Sequence, residues 1–296
     1  MKTHVTEAVQ QAVQAVDGQE ASEGGGIAAE TQLAEAAMQA ASALYEAMEE
    51  EELKLEERLT PRAIGTLYGV GVGPGDPELI TLKACRLLRE CPVIAYPATK
   101  KGGKSYAHEI IELHVNPGEK IMLGLVFPMT KDPELLASGW NRTVELCWNE
   151  LKQGRDVAFV TEGDPNLYST FIHLARLTQE LHPGVPIVSI PGISSVLGAA
   201  AALEQPLADG NQRVGIIPAT DDREALKEAL IHHDTVVFLK VAKVLDLVLD
   251  VLDELGLSGR ASVVTKVTSP YETVWRDARD LRGKELEYLS LMVVCK

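Results

Sequence analysis

The sequence contains few cysteines, and none of them has the spacing that is typical of metal ligands. The four cysteines stand at positions 85, 91, 147 and 295, and no two of them form a Cys-x-x-Cys motif. A structural zinc site needs a cluster of cysteine and histidine at short spacing. The sequence therefore predicts no metal site and favours free thiols in a reducing compartment.

The sequence also lacks an excess of positive charge. Lys and Arg number 28 against 43 Asp and Glu, which gives a formal net charge of −15 at pH 7. Affinity for nucleic acid comes largely from Lys and Arg that neutralise phosphates, so this balance argues against a nucleic-acid partner. Residues 1–60 hold 13 acidic and 3 basic side chains, so most of the negative charge is concentrated there.

An apolar leader and an uninterrupted membrane segment are absent as well. The opening residues, MKTHVTEAVQ, contain no apolar run of the kind that a signal peptide needs. Residues 183–203 carry no charge and are long enough to cross a bilayer, but prolines at 183, 186 and 191 would break a helix there. We therefore expect no membrane span and a cytoplasmic protein.

Composition and hydrophobic pattern divide the chain into three parts. Residues 1–62 are rich in Ala, Glu and Gln and predict an acidic extension that is disordered or a marginal helix. From residue 66 onward, short apolar runs alternate with helical patterns, which is typical of α/β folds with a parallel sheet. No clear helix separates the last two predicted strands, so we expect an antiparallel section there. The predicted α/β domains are residues 65–207 and 210–296.

Three glycine-containing loops each follow a predicted strand. They are residues 71–78 (GVGPGDPE, the first loop), 162–169 (EGDPNLYS, the second loop) and 191–195 (PGISS, the third loop). In open α/β sheets, ligands bind outside the carboxyl ends of the strands, so we expect the three loops to form one shared crevice. Considered alone, the glycine and polar residues of each loop are explained equally well by the geometry of a turn.

The first loop does not match the common nucleotide-binding motifs. A dinucleotide fingerprint has the spacing G-x-G-x-x-G, whereas here Gly71, Gly73 and Gly75 alternate and Asp76 follows at once. A carboxylate at that position would repel a pyrophosphate. A P-loop would end in Gly-Lys followed by Ser or Thr, and the sequence contains no such ending.

The acidic residues of the crevice favour a cationic ligand instead. Asp76, Glu162 and Asp164 all fall within the first two loops. S-adenosylmethionine fits this charge, because it carries a sulfonium and an ammonium group. Its one carboxylate would suit the backbone N–H groups near Ser194 and Ser195, where a helix is predicted to begin.

The three loops in this order resemble the tetrapyrrole (corrin/porphyrin) methylases, which are class III S-adenosylmethionine-dependent methyltransferases. The resemblance covers residues 65–296. It is carried by YGVGVGPGDPELITLKA at 68–84, EGDPNLYSTFIHL at 162–174 and IPGISS at 190–195. Within the family, GGKSYAHEII at 102–111 and LVFPMTKD at 125–132 are most similar to the precorrin-2 C(20)-methyltransferases.

The resemblance implies a fold and a reaction. The fold is two αβα domains of the class III methyltransferase type with the cofactor between them, preceded here by the acidic extension. The reaction is S-adenosylmethionine-dependent methylation of precorrin-2 at its C-20 meso carbon, giving precorrin-3A in cobalamin (vitamin B12) biosynthesis. The same methylation of cobalt-factor II, or another tetrapyrrole methylase step, stays open as an alternative. The resemblance also implies a homodimer.

The resemblance further implies a set of cofactor-binding residues, carried over by position from all parts of the chain. These are Pro74, Gly75, Asp76, Glu162, Gly163, Asp164, Ser194, Ser195, Lys240, Val241, Val267 and Ser290. Two of the positions depart from the family pattern. Relatives often have Gly at the position of Val267 and Ala at that of Ser290, although both contacts are usually made by the backbone.

Substrate binding demands local positive charge, since the tetrapyrrole carries several carboxylates and the protein is acidic. Lys100, Lys101 and Lys104 flank two glycines in the loop after the second predicted strand. We predict that this loop binds substrate carboxylates, with a solvated lysine turn as the alternative. Four residues of the second predicted domain are candidates for the opposite side: Lys240, Lys243, Lys266 and Arg213.

The proton lost from the methylated carbon needs an acceptor. Tyr168, Glu162 and His173 are the candidates, and the sequence does not choose between them. His173 falls at helical spacing and is better explained as a structural histidine.

Two functions from other classes compete with this interpretation. One is a nicotinamide-dependent oxidoreductase with an aberrant fingerprint, and the other is a non-catalytic tetrapyrrole-binding protein whose acidic extension contacts a partner. Methylation of RNA or protein by the same superfamily is disfavoured by the net charge and by the Tyr-Ser-Thr-Phe run at 168–171.

Overall fold

The computed structural model describes residues 42, 45–49, 63–98, 103, 105–127 and 132–296. The chain forms two units, Met1–Pro61 and Arg62–Lys296. In the first unit, Ser42 and residues 45–49 are helical, and the side chains of Tyr45 and Met48 are exposed. Most of the extension predicted at residues 1–62 lies outside the described residues.

The first half of the second unit is built on a parallel sheet of five strands. The strand order is β3-β2-β4-β1-β5, and every neighbouring pair is parallel. The strands are β1 (Leu67–Gly71), β2 (Val93–Ala98), β3 (Ile121–Val126), β4 (Val157–Thr161) and β5 (Ile187–Ile190). The helices are α1 (Leu82–Glu90), α2 (Tyr106–Ile111), α3 (Pro133–Leu151), α4 (Thr170–Leu181) and α5 (Ser195–Leu203).

Helices cover both faces of this sheet, which explains why its central strands are apolar throughout. All five residues of β4, VAFVT, are buried. On one face, Val70 and Val160 pack against α1 and α2, and on the other Phe159 packs against α3 and α4. Gly69 makes room for the ring of Phe171, because a Cβ there would lie only 2.2 Å from the ring.

Helix α3 shows how a local signal sets the start of a helix. The apolar pattern of the sequence indicates a helix over residues 139–153, whereas the helix runs from Pro133 to Leu151. Asp132 caps it by accepting hydrogen bonds from the backbone N–H groups of Glu134 and Leu135. Proline is tolerated at the first helical position, so the helix begins earlier than its apolar pattern indicates.

The second half of this unit is built on a mixed sheet of five strands. The order is β6-β7-β10-β8-β9; β6 is parallel to β7, and β10 is antiparallel to both β7 and β8. The strands are β6 (Val214–Pro218), β7 (Thr235–Leu239), β8 (Ala261–Thr265), β9 (Thr273–Trp275) and β10 (Ser290–Cys295). The two α-helices are α6 (Arg223–His232) and α7 (Leu245–Glu254). The predicted antiparallel section is thereby confirmed.

The two sheets meet through α5, whose small residues allow close packing. Val196, Ala199 and Leu203 of this helix share one hydrophobic cluster with Val237 and Leu291 of the second sheet. A Cβ on Gly198 would lie 3.3 Å from side-chain atoms of Pro74, Val267 and Thr268. The second sheet therefore lies directly against the loops of the first.

The α/β fold class is confirmed, with strands of the first sheet inside 67–190 and those of the second inside 214–295. The domain bounds at 65–207 and 210–296 stay a prediction. Among the described residues, no helix is both long and apolar enough to span a membrane. The uncharged stretch at 183–203 is divided between β5 and α5.

Candidate active site

A cavity opens where the carboxyl ends of β1 and β4 face the second sheet. One wall comes from the three glycine-containing loops and the start of α2, and the other from residues that follow β7 and β8 or begin β10. The lining residues are Pro74, Tyr106, Thr161, Glu162, Gly163, Asp164, Leu167, Tyr168, Ser169, Thr170, Ser194, Ser195, Leu239, Lys240, Lys266, Val267, Tyr288, Leu289, Ser290 and Leu291.

Glycines bring the three loops together by direct backbone contact. The N–H of Gly163 donates to the carbonyl of Gly73 at 2.8 Å. A Cβ on Gly71 would lie 2.5 Å from the carbonyl oxygen of Gly163, and one on Gly192 would lie 2.2 Å from the same oxygen. Only a residue without a side chain permits these approaches. The three loops thus form one crevice, as their positions after the strands predicted.

Asp164 joins the second loop to the third. Its Oδ2 accepts a hydrogen bond from the N–H of Gly192 at 3.0 Å, and its Oδ1 accepts one from Asn166 at 2.8 Å. Both oxygens are therefore engaged in holding loop backbone. We infer that Asp164 holds the loop backbone in place and also contributes negative charge to the crevice.

Glu162 lines the cavity and has one carboxylate oxygen without a hydrogen bond from the described residues. Its Oε1 accepts a hydrogen bond from the N–H of Ala107, in the first turn of α2, at 3.2 Å. Its Oε2 accepts none from the described residues. Glu162 can therefore present negative charge to a ligand while its other oxygen fixes the carboxylate against α2.

Helix α5 begins at the cavity and presents backbone donors there. Ser194 caps the helix through its Oγ, which accepts a hydrogen bond from the N–H of Val196 at 3.2 Å. The N–H of Ser195 makes no hydrogen bond to the described residues. Unpaired donors and the helix dipole at such an end favour an anionic group, such as a carboxylate.

The backbone is unusually strained around the cavity. Three lining residues that are not glycine, Tyr168, Lys240 and Lys266, have positive φ angles of 51°, 59° and 46°. Thr268, two residues beyond Lys266, has a φ of 65°. Strain of this kind persists where the surrounding structure enforces it, and it is concentrated at functional sites.

Three polar side chains on the wall formed by the second sheet contact neighbouring protein groups. The hydroxyl of Ser290 is 2.7 Å from that of Thr265 and donates to the carbonyl of Glu287 at 2.7 Å. Lys266 forms an ion pair with Glu287 at 2.5 Å, and this carboxylate raises the pKa of the ammonium. Lys240 lies over the ring of Tyr168, 5.8 Å from its centroid.

Metal-binding potential is low in the part of the chain that the structure describes. No three or more His, Cys, Asp or Glu side chains there are grouped so that they could hold an ion. The four cysteines are free thiols, and Cys91 and Cys147 are buried.

The pattern of the tetrapyrrole (corrin/porphyrin) methylases matches residues 66–281, which is most of the chain. The chain belongs to this family. The three loops and the cavity that they form are therefore part of a tetrapyrrole methylase fold.

Several relatives within the family carry out C-20 methylation according to their names. The chain is 41% identical over 179 residues to the probable cobalt-precorrin-2 C(20)-methyltransferase of Methanocaldococcus jannaschii, covering 60% of this chain and 74% of that one. It is 31% identical to cobalt-precorrin-2 C(20)-methyltransferase of Salmonella typhimurium, covering 78% and 97%. It is 30% identical to precorrin-2 C(20)-methyltransferase of a Sinorhizobium species, covering 78% and 95%.

A longer relative, cobalamin biosynthesis protein CobIJ of Mycobacterium tuberculosis, is 34% identical over 241 residues, and the chain spans 46% of its length. Among solved structures, a cobalt precorrin-4 methyltransferase is 26% identical with a TM-score of 0.57, covering 78% of this chain and 94% of that one. Uroporphyrin-III C-methyltransferase of Thermus thermophilus, solved with S-adenosylhomocysteine, shares the fold at 23% identity, with a TM-score of 0.56 and coverage of 78% and 98%.

Most of the predicted cofactor-binding residues lie together on the walls of the cavity. The structure places nine of them there: Pro74, Glu162, Gly163, Asp164, Ser194, Ser195, Lys240, Val267 and Ser290. They come from both sheets and from positions more than two hundred residues apart. Their role as cofactor contacts stays a prediction.

Three of the predicted cofactor residues lie behind the walls. Gly75 packs against the second sheet, where a Cβ would lie 2.6 Å from the carbonyl oxygen of Val267. Asp76 caps a short turn by accepting from the N–H of Glu78, and its own N–H donates to Thr268. Val241 is fully buried in the core of the second sheet.

The predicted catalytic candidates also divide into residues that line the cavity and one that does not. Glu162 and Tyr168 line the cavity, whereas His173 does not. The Nδ1 of His173 is 2.9 Å from the Arg176 guanidinium, and its ring is 5.5 Å from that of Trp140. The predicted substrate-binding residues Lys100, Lys101 and Lys104 lie outside the described residues.

Other lining residues were not singled out in the sequence. Thr161 and Tyr106 are examples from the first half, and Leu239 and Tyr288 are examples from the second. Tyr106 falls within the predicted helix at 106–115, and its pattern gave no reason to single it out. The position of Thr161 as the last residue of β4 is a usable signal, because strand ends face the crevice.

Proposed function

We propose that this chain transfers a methyl group from S-adenosylmethionine to the C-20 meso carbon of a precorrin-2-type tetrapyrrole, giving a precorrin-3A-type product in cobalamin biosynthesis. The observation that carries the proposal is the likeness to three relatives named for the same ring position. The cavity supports it, since it offers a cleft between two sheets with polar groups of both signs.

The charges on the cavity walls fit S-adenosylmethionine. Glu162 offers its free oxygen to the cationic part of the molecule, and the N–H of Ser195 at the start of α5 suits the carboxylate. A contact between an anion and a helix start contributes ~0.3–1 kcal/mol, or more when it is partly buried. We propose that the nine lining residues predicted as contacts hold the cofactor, with Gly75, Asp76 and Val241 supporting them from behind.

S-adenosylmethionine supplies, when bound, a methyl group on a positively charged sulfur. The protein contributes mainly by holding the two reactants in line, which is worth ~7–11 kcal/mol in favourable cases. Little activation of the ring is required, because the meso carbon of a reduced tetrapyrrole belongs to an electron-rich, enamine-like system. Apolar walls at Leu167, Val267 and Leu291 favour the step, since charge on the sulfur is lost in the transition state.

One proton leaves the C-20 carbon for each methyl group that is added. Glu162 and Tyr168 are the candidate acceptors on the cavity wall. The hydroxyl of Tyr168 donates to the carbonyl of Ile216 at 3.2 Å, so its proton is already directed away from the cavity. His173 would have to leave Arg176 to take part. The acceptor stays unassigned between these groups.

Methylation of the cobalt-loaded ring, cobalt-factor II, is the second candidate function. The relative with 41% identity is named for the cobalt substrate, whereas the relative named for the metal-free ring is 30% identical. Anaerobic incubation with S-adenosylmethionine and each ring separately, followed by mass spectrometry, tests both. A gain of one methyl group on either ring supports the proposal and assigns the substrate. No gain on both rings, by a protein that binds S-adenosylhomocysteine, would contradict it.

Three further properties are proposed from the sequence, and only the first of them is implied by the resemblance. They are a homodimer, a cytoplasmic location and carboxylate binding by Lys100, Lys101 and Lys104. Light scattering after gel filtration tests the dimer. Substitution of the three lysines by glutamine tests the loop, because it should raise the KM for the tetrapyrrole and leave the affinity for S-adenosylhomocysteine unchanged.

A further inference from the structure

A buried tyrosine hydroxyl on the cavity wall lacks a hydrogen-bond partner in the described part of the chain. Tyr106 is the first residue of α2 and lines the cavity. Its Oη is shielded from solvent and makes no hydrogen bond there. Leaving such a group unpaired costs free energy, and in native proteins it calls for a functional explanation.

The position of this hydroxyl is fixed by its surroundings. Ser105 caps α2 by accepting from the N–H of His108 at 3.2 Å, and the N–H of Ala107 is bonded to Glu162. A Cβ on Gly75 would lie 2.8 Å from Tyr106 Oη and 2.9 Å from the N–H nitrogen of Ser269. The hydroxyl is therefore held between the first loop and the residues that follow β8, where the two walls meet.

The phenol at this position is a proton donor. Burial raises the pKa of Tyr106, and Glu109 and Glu162 act in the same direction. The side chain of Ser269 and the charge of Lys266 oppose this rise, and their effects are smaller than that of burial but larger than those of the two glutamates. Tyr106 therefore keeps its proton at neutral pH. Its hydroxyl forms the strongest hydrogen bond with a charged acceptor such as a carboxylate.

We propose that Tyr106 Oη donates a hydrogen bond to a carboxylate oxygen of a bound reactant. Both reactants of the proposed reaction carry carboxylates, one on the amino-acid part of S-adenosylmethionine and several on the tetrapyrrole. The inference rests on the proposed function, because that function brings both into the cavity. It adds a ligand-binding residue from α2 that the three loops do not include.

The Tyr106→Phe variant tests the inference, since it removes only the hydroxyl. Two ligand titrations and one kinetic measurement are needed: affinity for S-adenosylhomocysteine, affinity for methylthioadenosine, which lacks the carboxylate, and the KM for the tetrapyrrole. A lost hydrogen bond to a charged group changes a binding constant by about ten- to a hundredfold. The melting temperature of the ligand-free variant should not fall, because the hydroxyl has no partner there to lose.

Two results support the inference and identify the reactant. Weaker binding of S-adenosylhomocysteine with unchanged binding of methylthioadenosine assigns the hydrogen bond to the cofactor carboxylate. A higher KM for the tetrapyrrole with unchanged affinity for S-adenosylhomocysteine assigns it to the substrate. In both cases Tyr271→Phe serves as the matched control, since Tyr271 is 72% exposed and does not line the cavity.

Three results would overturn the inference. They are unchanged binding of both reactants, an equal loss of affinity for both nucleosides, and a lower melting temperature of the ligand-free variant with unchanged binding. The proposed function is judged separately on the wild-type protein. If the wild type methylates a tetrapyrrole and Tyr106→Phe behaves like it in every measurement, the inference fails and the function stands.

Discussion

At the scale of single residues, Gly192 stands at one of the most crowded points of the backbone. A Cβ there would lie 2.2 Å from the carbonyl oxygen of Gly163 and 2.7 Å from the carbonyl carbon of Gly71. We expect Gly192→Ala to push the three loops apart and to lower the free energy of unfolding by about 1–3 kcal/mol. Urea denaturation measures the stability, and calorimetry should show a loss of affinity for S-adenosylhomocysteine.

The matched control for this substitution is Gly118→Ala. The nearest atom to a Cβ on Gly118 is Asn116 Oδ1 at 3.4 Å, so the added methyl group finds room. This variant should bind S-adenosylhomocysteine like the wild type. Wild-type affinity in the Gly192 variant would show that close contact between the loops is not required.

Cys147 gives a prediction for alkaline pH. Its thiol is fully buried, and burial raises its pKa from the ordinary value of 9.0 to about 12. Above pH 9 the unfolded chain therefore loses this proton while the folded chain keeps it. The stability contributed by the neutral thiol is present below pH 9 and is lost as the pH rises toward 12. The expected slope from this one group is ~1.4 kcal/mol per pH unit.

Comparison with Cys147→Ala isolates that slope. Below pH 9 the variant is less stable than the wild type, because removing the sulfur leaves a cavity. Between pH 9 and about pH 11, however, its free energy of unfolding should fall less steeply than that of the wild type. Parallel curves from urea denaturation would mean that the thiol does not titrate differently in the two states.

At the scale of elements, α5 determines how closely the second sheet approaches the loops. A Cβ added to Gly198 would lie 3.3 Å from side-chain atoms of Pro74 and Val267. Both of those residues line the cavity. We expect Gly198→Leu to separate these walls, to destabilise the protein by about 1–3 kcal/mol and to weaken binding of S-adenosylhomocysteine. Thermal unfolding with and without this ligand measures both effects.

The neighbouring position on the same helix provides the control. Leu197 is 60% exposed, so Leu197→Ala should change neither stability nor ligand affinity substantially. If Gly198→Leu were destabilised and yet bound S-adenosylhomocysteine with full affinity, the packing of α5 would not define the cavity.

The elements also show which parts of a fold a sequence can predict. The strands β4 and β7 are buried on both faces, so their apolar runs are uninterrupted and were predicted. The strand β3 was missed, because it lies at the sheet edge, is only partly buried and has Gly124 in its middle. The three-residue strand β9 is also at an edge and is too short to show a period.

At the scale of the whole molecule, the described residues that line the cavity all come from one unit of the chain. They fall between Pro74 and Leu291, within the unit Arg62–Lys296. We therefore expect a variant without residues 1–60 to methylate the tetrapyrrole with an unchanged kcat. Steady-state assays of both forms measure this, and loss of turnover in a shortened protein that still binds S-adenosylhomocysteine would assign the extension a role in catalysis.

Residues of the site could be predicted where the order of elements along the chain determines their place. They could not be predicted where their place depends on packing between elements. Gly71, Gly163 and Gly192 stand in loops directly after strands, so their place in the crevice follows from the order of elements. Val241 was predicted as a contact next to Lys240; its side chain lies in the core, and its role as a contact stays a prediction. Tyr106 enters the cavity wall only through the packing of α2 beside Glu162, which no spacing in the sequence reveals.

The central claim is that the cavity between the two sheets directs a methyl group to C-20 of a tetrapyrrole. The most direct measurement uses S-adenosylmethionine with an isotope-labelled methyl group and locates the label in the product by nuclear magnetic resonance. The account predicts one labelled methyl group on the C-20 meso carbon of precorrin-2 or cobalt-factor II. A label at another ring carbon, or no label on either ring, would contradict it.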